Sequence, residues 1–528
     1  MTSPLRPADV AALRDALTRV GYTVEGVEDL LGPMASAALH REQAVPARRV
    51  AASRAADPRA TLTSLFLLGD EVPRAAVDAA LPGVGTAGAQ ALGLVEAAGA
   101  GPDDAVRAVL DLRPYAATDA RGPVGWWLVS DLGELATGRR LAVDHVLGAG
   151  GASTTLAQVT MRERVGRVLD LGTGCGVQAL HASRHADAVV ATDVSRRALD
   201  LTRLNVALNT PDADVEARLG SMLEPVAGER FDLVVSNPPF VITPHEGAAG
   251  AAVDRAIGAF EYRDGGRSGD DLVRDLVTGV GEVLAPGGVA QLLGNWEHRR
   301  GQDWAERVGG WLDASGLDGW VIERELLDPA EYAETWIRDG GTTAARDQGA
   351  WDAAYGAWLD DFASRDVEGV GFGIVTLRRP VDGARPTLRR LEEHHGSLRQ
   401  PLGAHLAASL AAHDWLEARD DAALAAEHLV VAGDVTEERY LTPGEPDPNV
   451  VIVRQGDGLG RGLQASTGLA AFVGVCDGEL AVGQIVGALG ALLGVPADDL
   501  AGELLPAVRG LVRDGFLAPA AGTGGSAS

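Results

Sequence analysis

Two stretches of the chain combine residue types that could hold a ligand. In the first, an apolar run over residues 168–171 leads into Gly172, Gly174 and Gly176. Glycine lets a chain turn sharply and lets a ligand approach the backbone where a Cβ would block it. The next apolar run ends in Asp193, about 20 residues further on, where a carboxylate can accept hydrogen bonds from ribose hydroxyls. The pattern predicts a binding site for a cofactor that contains a nucleoside.

The second stretch is "DLVVSNPPFV", residues 232–241, in which a strand-forming run stops abruptly on Asn237, Pro238, Pro239 and Phe240. Proline has no N–H and cannot lie in the middle of a ladder, so the two prolines force the chain out of the sheet. The carboxyl edge of an open α/β sheet is where ligands bind. We therefore expect Asn237 and Phe240 to face a cleft.

Details of both stretches carry a family resemblance. "DLGTGCG" (170–176) has an acidic residue before alternately spaced glycines, unlike the dinucleotide pattern G-x-G-x-x-G. This variant resembles the S-adenosylmethionine site of class I methyltransferases. "NPPF" resembles the Asn-Pro-Pro-aromatic signature of amino-methyltransferases, which include the release-factor glutamine and ribosomal-RNA guanine methyltransferases. Residues 262–294, with their "PGG" turn, are similar to the glutamine methyltransferases. The resemblance covers residues 140–380, under half of the chain.

The resemblance implies S-adenosyl-L-methionine as cofactor and assigns residues to it. Asp170 and the backbone from Gly172 to Gly176 would hold the methionine end, and Asp193 would hold the ribose. The full predicted cofactor set is Asp170, Gly172, Thr173, Gly174, Gly176, Asp193, Val194, Ser221, Met222 and Asn237. Ser221 departs from the family, which usually has an acidic residue there. For Asp170 and Asp193 the structural alternative is a helix cap or a solvated turn.

The predicted catalytic residues are Asn237, Pro238, Pro239 and Phe240. The Asn237 amide oxygen and the Pro238 carbonyl can accept the two hydrogens of an NH₂ group, and Phe240 can stack on a flat acceptor. Holding both N–H bonds turns the nitrogen lone pair toward the methyl donor, so catalysis is mostly positioning. The sequence thus predicts N-methylation of a planar amino or amide nitrogen. Two alternatives stay open: an O-methyltransferase acting on a small metabolite, and a non-catalytic cofactor-binding protein.

The predicted fold class is α/β, a Rossmann-like class I methyltransferase with a seven-stranded, mostly parallel sheet, because strands alternate with helices between residues 136 and 382. Residues 1–135 are predicted as a helical domain with a winged-helix-like part. Residues 383–520 are predicted as an α+β domain, also winged-helix-like, with a strand pair near 428–435 and 449–456. Residues 521–528 are predicted as a loose tail.

The formal net charge of −28 disfavours bulk nucleic-acid binding, because a polyanion meets long-range repulsion. An arginine cluster within residues 41–59 keeps a local basic patch open, although a solvated helix face is the plainer interpretation. The acceptor is left as a small molecule, a protein glutamine or an RNA base. No membrane partner and no metal site are predicted, and Cys175 and Cys476, lacking metal or disulfide spacing, predict buried thiols of a cytoplasmic protein.

Three further features are open to two interpretations. Ser153, Thr154 and Thr155, within residues 144–158, could contact the cofactor or substrate, or belong to a helix cap. Tyr332 and Trp336, within residues 328–341, could form a lid or pack in the core. His245 follows the "NPPF" stretch and could touch substrate, although a surface position is the simpler interpretation. His394 and His395 are adjacent and suggest no metal.

Overall fold

The protein is described here by a computed structural model that covers residues 6–137, 144–245, 250–253, 266–340, 342, 344–381 and 384–520. It comprises two compact units, Met1–Ala157 with Glu163–Glu393, and Gln158–Arg162 with His394–Ser528. Each unit has its own apolar core. Among the described helices, none combines the length and apolar character that crossing a membrane requires.

The first unit opens with helices α1 to α6, which span Pro7–Val20, Val24–Leu39, Ala44–Ser53, Pro58–Leu62, Arg74–Ala80 and Gly85–Ala91. Helix α1 is amphipathic, with Val10, Leu13 and Leu17 buried on one face. It ends at Gly21, whose φ of 67° lies in the left-handed region that glycine tolerates. α4 continues into a π-helical segment over Thr63–Leu67.

A small antiparallel sheet and a long hairpin follow. The sheet has the order β1-β3-β2, with strands Val72–Pro73, Val95–Ala97 and Ala105–Ala108. The hairpin consists of β4, Leu110–Asp119, and β5, Gly122–Asp131. The sequence suggests one strand over residues 105–117, but the chain leaves the small sheet at Val109, whose N–H bonds the Leu94 carbonyl, and the hairpin forms separately.

The first unit is built around an eight-stranded sheet with the order β13-β11-β12-β10-β9-β6-β7-β8. β12 runs antiparallel to both of its neighbours, and the other described pairings are parallel. Strands β6 to β13 span Val165–Leu171, Ala186–Asp193, Val215–Leu219, Phe231–Ser236, Leu284–Arg299, Asp318–Leu327, Val367–Arg378 and Arg389–Glu393. The mostly parallel Rossmann-like sheet is confirmed. Its eighth strand, β13, lies beyond the predicted boundary at residue 382.

Both faces of this sheet are covered, because successive strand residues point to opposite sides. Val168 packs on one face with Ala179 of α9, whereas Leu169 packs on the other with Val273 of α11. Helices α7 to α14 span Glu134–Thr137, Gly151–Val159, Val177–Ala182, Arg196–Asn209, Asp271–Gly279, Trp304–Ser315, Pro329–Asp339 and Gln348–Ser364. The apolar runs of β6 and β9 are therefore typical of strands buried on both sides.

The second unit contains helices α15 to α19, spanning Gly403–Glu417, Asp421–Ala426, Thr467–Gly474, Val482–Leu493 and Ala497–Arg513. Strands β14 to β19 span His428–Val431, Val435–Leu441, Pro448–Gln455, Gly462–Ala465, Asp477–Ala481 and Leu517–Pro519. They form two sheets, β18-β14-β19 and β15-β16-β17. The expected pairing of β14 with β16 is wrong, because β15 begins at Val435 and takes the place beside β16.

Candidate active site

The glycine turn lies at the carboxyl end of β6, between that strand and α9. Gly172, Gly174 and Gly176 have φ values of 74°, 56° and 86°, in the left-handed region. A Cβ on Gly172 or Gly174 would meet open space, whereas on Gly176 it would lie 3.0 Å from the Thr202 side chain. The first two glycines thus leave the backbone open to a ligand, and the third allows close packing of α10. This arrangement fits a cofactor cradle.

Two carboxylates hold the turn in place. The Thr173 hydroxyl donates to Asp170 Oδ2 at 2.6 Å within the turn. Asp193, at the end of the neighbouring strand β7, accepts from the Gly174 N–H at 2.9 Å and from the Ser195 N–H at 2.9 Å. The N–H groups of Gly172 and Thr173 both donate to the Thr192 carbonyl at 2.9 Å. Asp193 therefore helps to hold the glycine turn in its conformation from the end of the neighbouring strand.

Both carboxylates have raised pKa values. Burial, with a smaller contribution from the charge of Asp193, raises the pKa of Asp170 to about 7, although hydrogen bonds from Thr173 and Ala179 oppose the shift. Burial also raises the pKa of Asp193, although backbone N–H groups of Ser195, Gly174 and Val194 oppose the shift. A cation beside these groups would lower both pKa values, because it stabilises the ionised carboxylates. The site therefore favours a positively charged ligand.

The residues expected around an adenine come from neighbouring strand ends. Val194 directly follows Asp193 and is 54% exposed, so its side chain is accessible to a ligand. Ser221 and Met222 lie just after β8, where the Gly220 N–H donates to the Asp193 carbonyl at 3.0 Å. Met222 has a φ of 49°, which is uncommon outside glycine. All three thus gather at the same edge of the sheet as the glycine turn.

The "NPPF" segment leaves the sheet at this same edge. β9 ends at Ser236, whose hydroxyl donates to the Leu171 carbonyl at 2.9 Å, so Asn237 begins level with Gly172. The Asn237 Oδ1 atom is buried and has no hydrogen-bond partner among the described residues. A buried, unpaired amide oxygen is costly unless a ligand donates to it. The ring of Phe240 lies 5.3 Å from that of Phe372 on β12, centroid to centroid.

Two distant side chains, those of Tyr332 and Trp358, fix the chain beyond Phe240. The Tyr332 hydroxyl accepts from the Ile242 N–H at 2.9 Å and from Asn295 Nδ2 at 2.8 Å. The Trp358 indole donates to the Ile242 carbonyl at 2.8 Å. Tyr332 is 2% exposed, so it is a core residue and not part of a lid. It anchors residues 237–242, which are called the acceptor segment below. Trp336 is half-buried in the same apolar cluster.

Asn295 is a site residue that the sequence interpretation missed. It lies on β10 three residues beyond Leu292, which pairs with Ser236, and is therefore close to the "NPPF" edge. Asn295 is 2% exposed, and its Oδ1 atom has no described hydrogen-bond partner. The available signal was a polar side chain interrupting the run "QLLGNW" where the strand passes the ligand edge.

The comparison with protein families identifies the part of the chain that carries this geometry. Residues 149–258 match the methyltransferase small domain. These residues belong to a class I methyltransferase domain. Flanking matches are to domains of unknown function, DUF7059 over residues 19–109 and DUF7782 over residues 407–519. The predicted family is confirmed, and with it S-adenosylmethionine as the cofactor of this domain.

The relatives that match the methyltransferase domain are named as glutamine methyltransferases. The ribosomal protein uL3 glutamine methyltransferase of Bradyrhizobium diazoefficiens is 32% identical over 34% of this chain and 57% of its own length. The release factor glutamine methyltransferase of Deinococcus radiodurans is 40% identical over 24% of this chain and 44% of its own. The chain thus spans about half the length of these relatives. A methyltransferase structure from Pyrococcus furiosus aligns over 45% of this chain and 89% of its own, with 14% identity and a TM-score of 0.26.

Other candidates lie beside or outside the methyltransferase site. Ser153, Thr154 and Thr155 fall within α8, and the Ser153 carbonyl accepts from Gln178 of α9 at 2.7 Å. His245 is exposed. Arg48 and Arg59 of the arginine cluster form ion pairs with Asp70 and Asp57.

The two cysteines, Cys175 and Cys476, are free and buried, as predicted. Burial raises the pKa of Cys175 to about 11 and that of Cys476 to about 12. Both thiols therefore stay protonated and unreactive near neutral pH.

Proposed function

We propose that this protein is an S-adenosylmethionine-dependent N-methyltransferase whose acceptor is the side-chain amide of a glutamine in a protein. The observation that carries the proposal is the buried Oδ1 atom of Asn237, which lies one strand away from the glycine turn and has no hydrogen-bond partner in the described part of the chain. An acceptor oxygen in this position matches the N–H donors of a primary amide. The names of the curated relatives support glutamine as the amide.

The cofactor would be held by the predicted set around the turn. Asp170 and the turn from Gly172 to Gly176 would hold its methionine end, Asp193 its ribose, and Val194, Ser221 and Met222 its adenine. Once bound, S-adenosylmethionine supplies a methyl group on a positively charged sulfur. The raised pKa values of Asp170 and Asp193 suit that charge, because a bound cation offsets the penalty of ionising a buried carboxyl group.

The protein's own contribution to the reaction is orientation. Asn237 Oδ1 would accept one N–H of the amide, and the Pro238 carbonyl would accept the other. Both bonds hold the nitrogen so that its lone pair faces the donor, which lowers the entropic part of the barrier. Phe240 would pack against the flat amide, and Tyr332 keeps the segment in place through the Ile242 N–H. Transfer would break the bond between sulfur and the methyl group, leave S-adenosylhomocysteine, and release one amide proton to solvent, so no strong general base is needed.

The charge of the molecule supports a protein acceptor over a nucleic acid. The chain carries 46 basic and 74 acidic side chains, so a polyanion is repelled at long range. A segment of protein avoids that penalty and can present a single side chain to the cleft.

Transfer of a radiolabelled methyl group from S-adenosylmethionine to separated protein, RNA and small-molecule fractions tests the proposal. We expect label in the protein fraction, at the amide of glutamine after digestion and mass spectrometry. Asn237→Ala should lower the transfer rate by about 100-fold because the nitrogen loses its alignment, and the rate is compared at saturating S-adenosylmethionine so that any loss of cofactor affinity does not contribute. Asn449→Ala, at an exposed position of the second unit, is the matched control. Label in RNA, or full activity of Asn237→Ala, would overturn the proposal.

A further inference from the structure

One helix, α10, bonds along the free edge of the N-terminal hairpin. Asn205 Oδ1 accepts from the Val129 N–H at 2.7 Å, and its Nδ2 donates to the Val129 carbonyl at 2.8 Å. One turn later Asn209 makes the same pair of bonds with Trp127, at 2.9 and 2.8 Å. Arg197 bonds Asp131 at 2.8 and 3.0 Å. Trp127 and Val129 of β5 are therefore tied to α10 through their backbone groups, as they would be to another strand, and Asp131 is tied through its carboxylate.

Asn205 also reaches the cofactor turn. Its Nδ2 atom donates a second hydrogen bond to the Cys175 carbonyl at 2.7 Å. The neighbouring Thr202 hydroxyl donates to the Gly174 carbonyl at 3.0 Å. Asn205 is 0% exposed, and both amide hydrogens and the amide oxygen of its side chain are used. One buried side chain therefore joins the hairpin to the glycine turn.

These bonds set which way the turn presents its backbone. The C=O and N–H of a trans peptide point in opposite directions. Because the Gly174 carbonyl is drawn toward α10, the Cys175 N–H faces away from α10. The Cys175 carbonyl is drawn to the same helix by Asn205, which fixes the next peptide in the same sense. Loss of the Asn205 bond removes one of the two hydrogen bonds that hold this peptide and leaves the one from the Gly176 N–H to the Thr173 carbonyl at 2.8 Å, whereas loss of the Asn209 side chain removes no bond to the turn.

We propose that Asn205 is a positioning residue that couples the docking of the N-terminal hairpin to the affinity of the cofactor site. The inference rests on the proposed use of S-adenosylmethionine at the glycine turn. Coupling between two sites is reciprocal, so cofactor binding also stabilises the hairpin. The hairpin is thereby part of the methyltransferase site, although it lies outside the segment that matches the methyltransferase family.

Asn205→Ala and Asn209→Ala form a matched pair, because each removes two bonds to β5 and only the first removes a bond to the turn. Binding of S-adenosylhomocysteine, measured by calorimetry, should weaken about tenfold in Asn205→Ala, as expected for one buried hydrogen bond. In Asn209→Ala it should change by less than about twofold, because the two Asn205 bonds to Val129 still hold the hairpin against α10 and the bond to the turn is intact. Asn205→Ser, which keeps a polar side chain but removes the amide that donates to the Cys175 carbonyl, gives the same test if Asn205→Ala does not fold.

Hydrogen exchange gives a second readout that a merely structural role would not move. The Trp127 N–H donates to Asn209, so it reports hairpin docking without bonding Asn205. S-adenosylhomocysteine should slow Trp127 exchange several-fold in the wild-type chain and leave it unchanged in the Asn205 variants. Two results would overturn this inference and leave the proposed function intact. One is an equal loss of S-adenosylhomocysteine affinity in both alanine variants, and the other is a wild-type Trp127 N–H whose exchange rate does not change when the ligand binds. If the wild-type chain does not bind S-adenosylhomocysteine, both the inference and the proposed function are overturned.

Discussion

At the residue scale, two carboxyl groups border the glycine turn, Asp170, which is buried, and Asp193, which is half-buried, and burial raises the pKa of both. The folded pKa of Asp170, about 7, lies above the value of about 4 for an unfolded aspartate. Ionising Asp170 therefore destabilises the free fold as pH rises through this window. A positively charged cofactor reverses that penalty. The same burial that costs stability in the free protein thus supplies selectivity for a cationic ligand.

This arrangement predicts a pH dependence of cofactor binding. Below pH 7 Asp170 is protonated in the free protein, so the positively charged cofactor must displace a proton when it binds. The dissociation constant of S-adenosylmethionine should therefore rise by up to about tenfold for each unit by which the pH falls below 7. Calorimetry with S-adenosylmethionine between pH 5.5 and about 8.5 checks this slope. Asp170→Asn should bind more weakly and with a flatter profile. An unchanged slope in Asp170→Asn would assign the effect to another group.

A comparison of alanine variants at Gly174 and Gly301 distinguishes backbone strain from blocked ligand access. Both have positive φ values, 56° and 72°, and a Cβ on either would meet open space. Alanine at each should cost about 1–2 kcal/mol of unfolding free energy because the left-handed region is strained. Only Gly174→Ala should also weaken S-adenosylhomocysteine binding, since its Cβ would enter the cofactor cradle. Denaturant unfolding and calorimetry on both variants measure the difference; equal ligand affinity would remove Gly174 from the site.

At the element scale, the acceptor segment is held by a helix far along the chain. Tyr332 lies on α13, and its hydroxyl joins the backbone after "NPPF" to Asn295 of β10. The prolines end strand β9, but they cannot by themselves fix the path of the chain beyond Phe240. α13 and α14 supply that restraint through Tyr332 and Trp358.

Tyr332→Phe should therefore impair transfer more than cofactor binding. It leaves the Ile242 N–H and the Asn295 amide without their shared acceptor, which costs about 1–3 kcal/mol of stability. We expect a lower kcat with an unchanged dissociation constant for S-adenosylhomocysteine. Tyr355→Phe is the matched control, because its hydroxyl makes only a long 3.3 Å bond to Glu334 near the surface. Similar kinetics for the two variants would refute an anchoring role.

At the scale of the whole molecule, the chain forms two units with separate cores. The cofactor site lies in the first unit, while the second unit is built on the cluster around Phe472, Leu504 and Val508. Separate cores allow separate unfolding, and a ligand stabilises only the unit that binds it.

Calorimetric unfolding should therefore show two transitions. S-adenosylhomocysteine at 100 times its dissociation constant should add about 2.7 kcal/mol to one transition and leave the other in place. Asp193→Ala should abolish that shift, because the turn loses the acceptor of the Gly174 N–H. A single transition that moves as a whole would show that the two units unfold together.

The sequence by itself determined the local parts of the site. Glycines with positive φ and prolines that end a strand act through the chain's own sterics, so "DLGTGCG" and "NPPF" reveal a turn and a strand end without knowledge of the fold. Alternation of strands and helices likewise indicates a parallel sheet, and the two strand ends must then meet at its carboxyl edge.

Only the tertiary structure decided which distant side chains complete these parts. Tyr332 bonds Ile242 across 90 residues, and Asn205 bonds Val129 across 76. An asparagine within a helix or a tyrosine in an amphipathic pattern looks like an ordinary packing residue, because its partner is a backbone group with no sequence signal. The eighth strand and the break at Val109 were hidden for the same reason. Which edge pairs with which element depends on the packed fold.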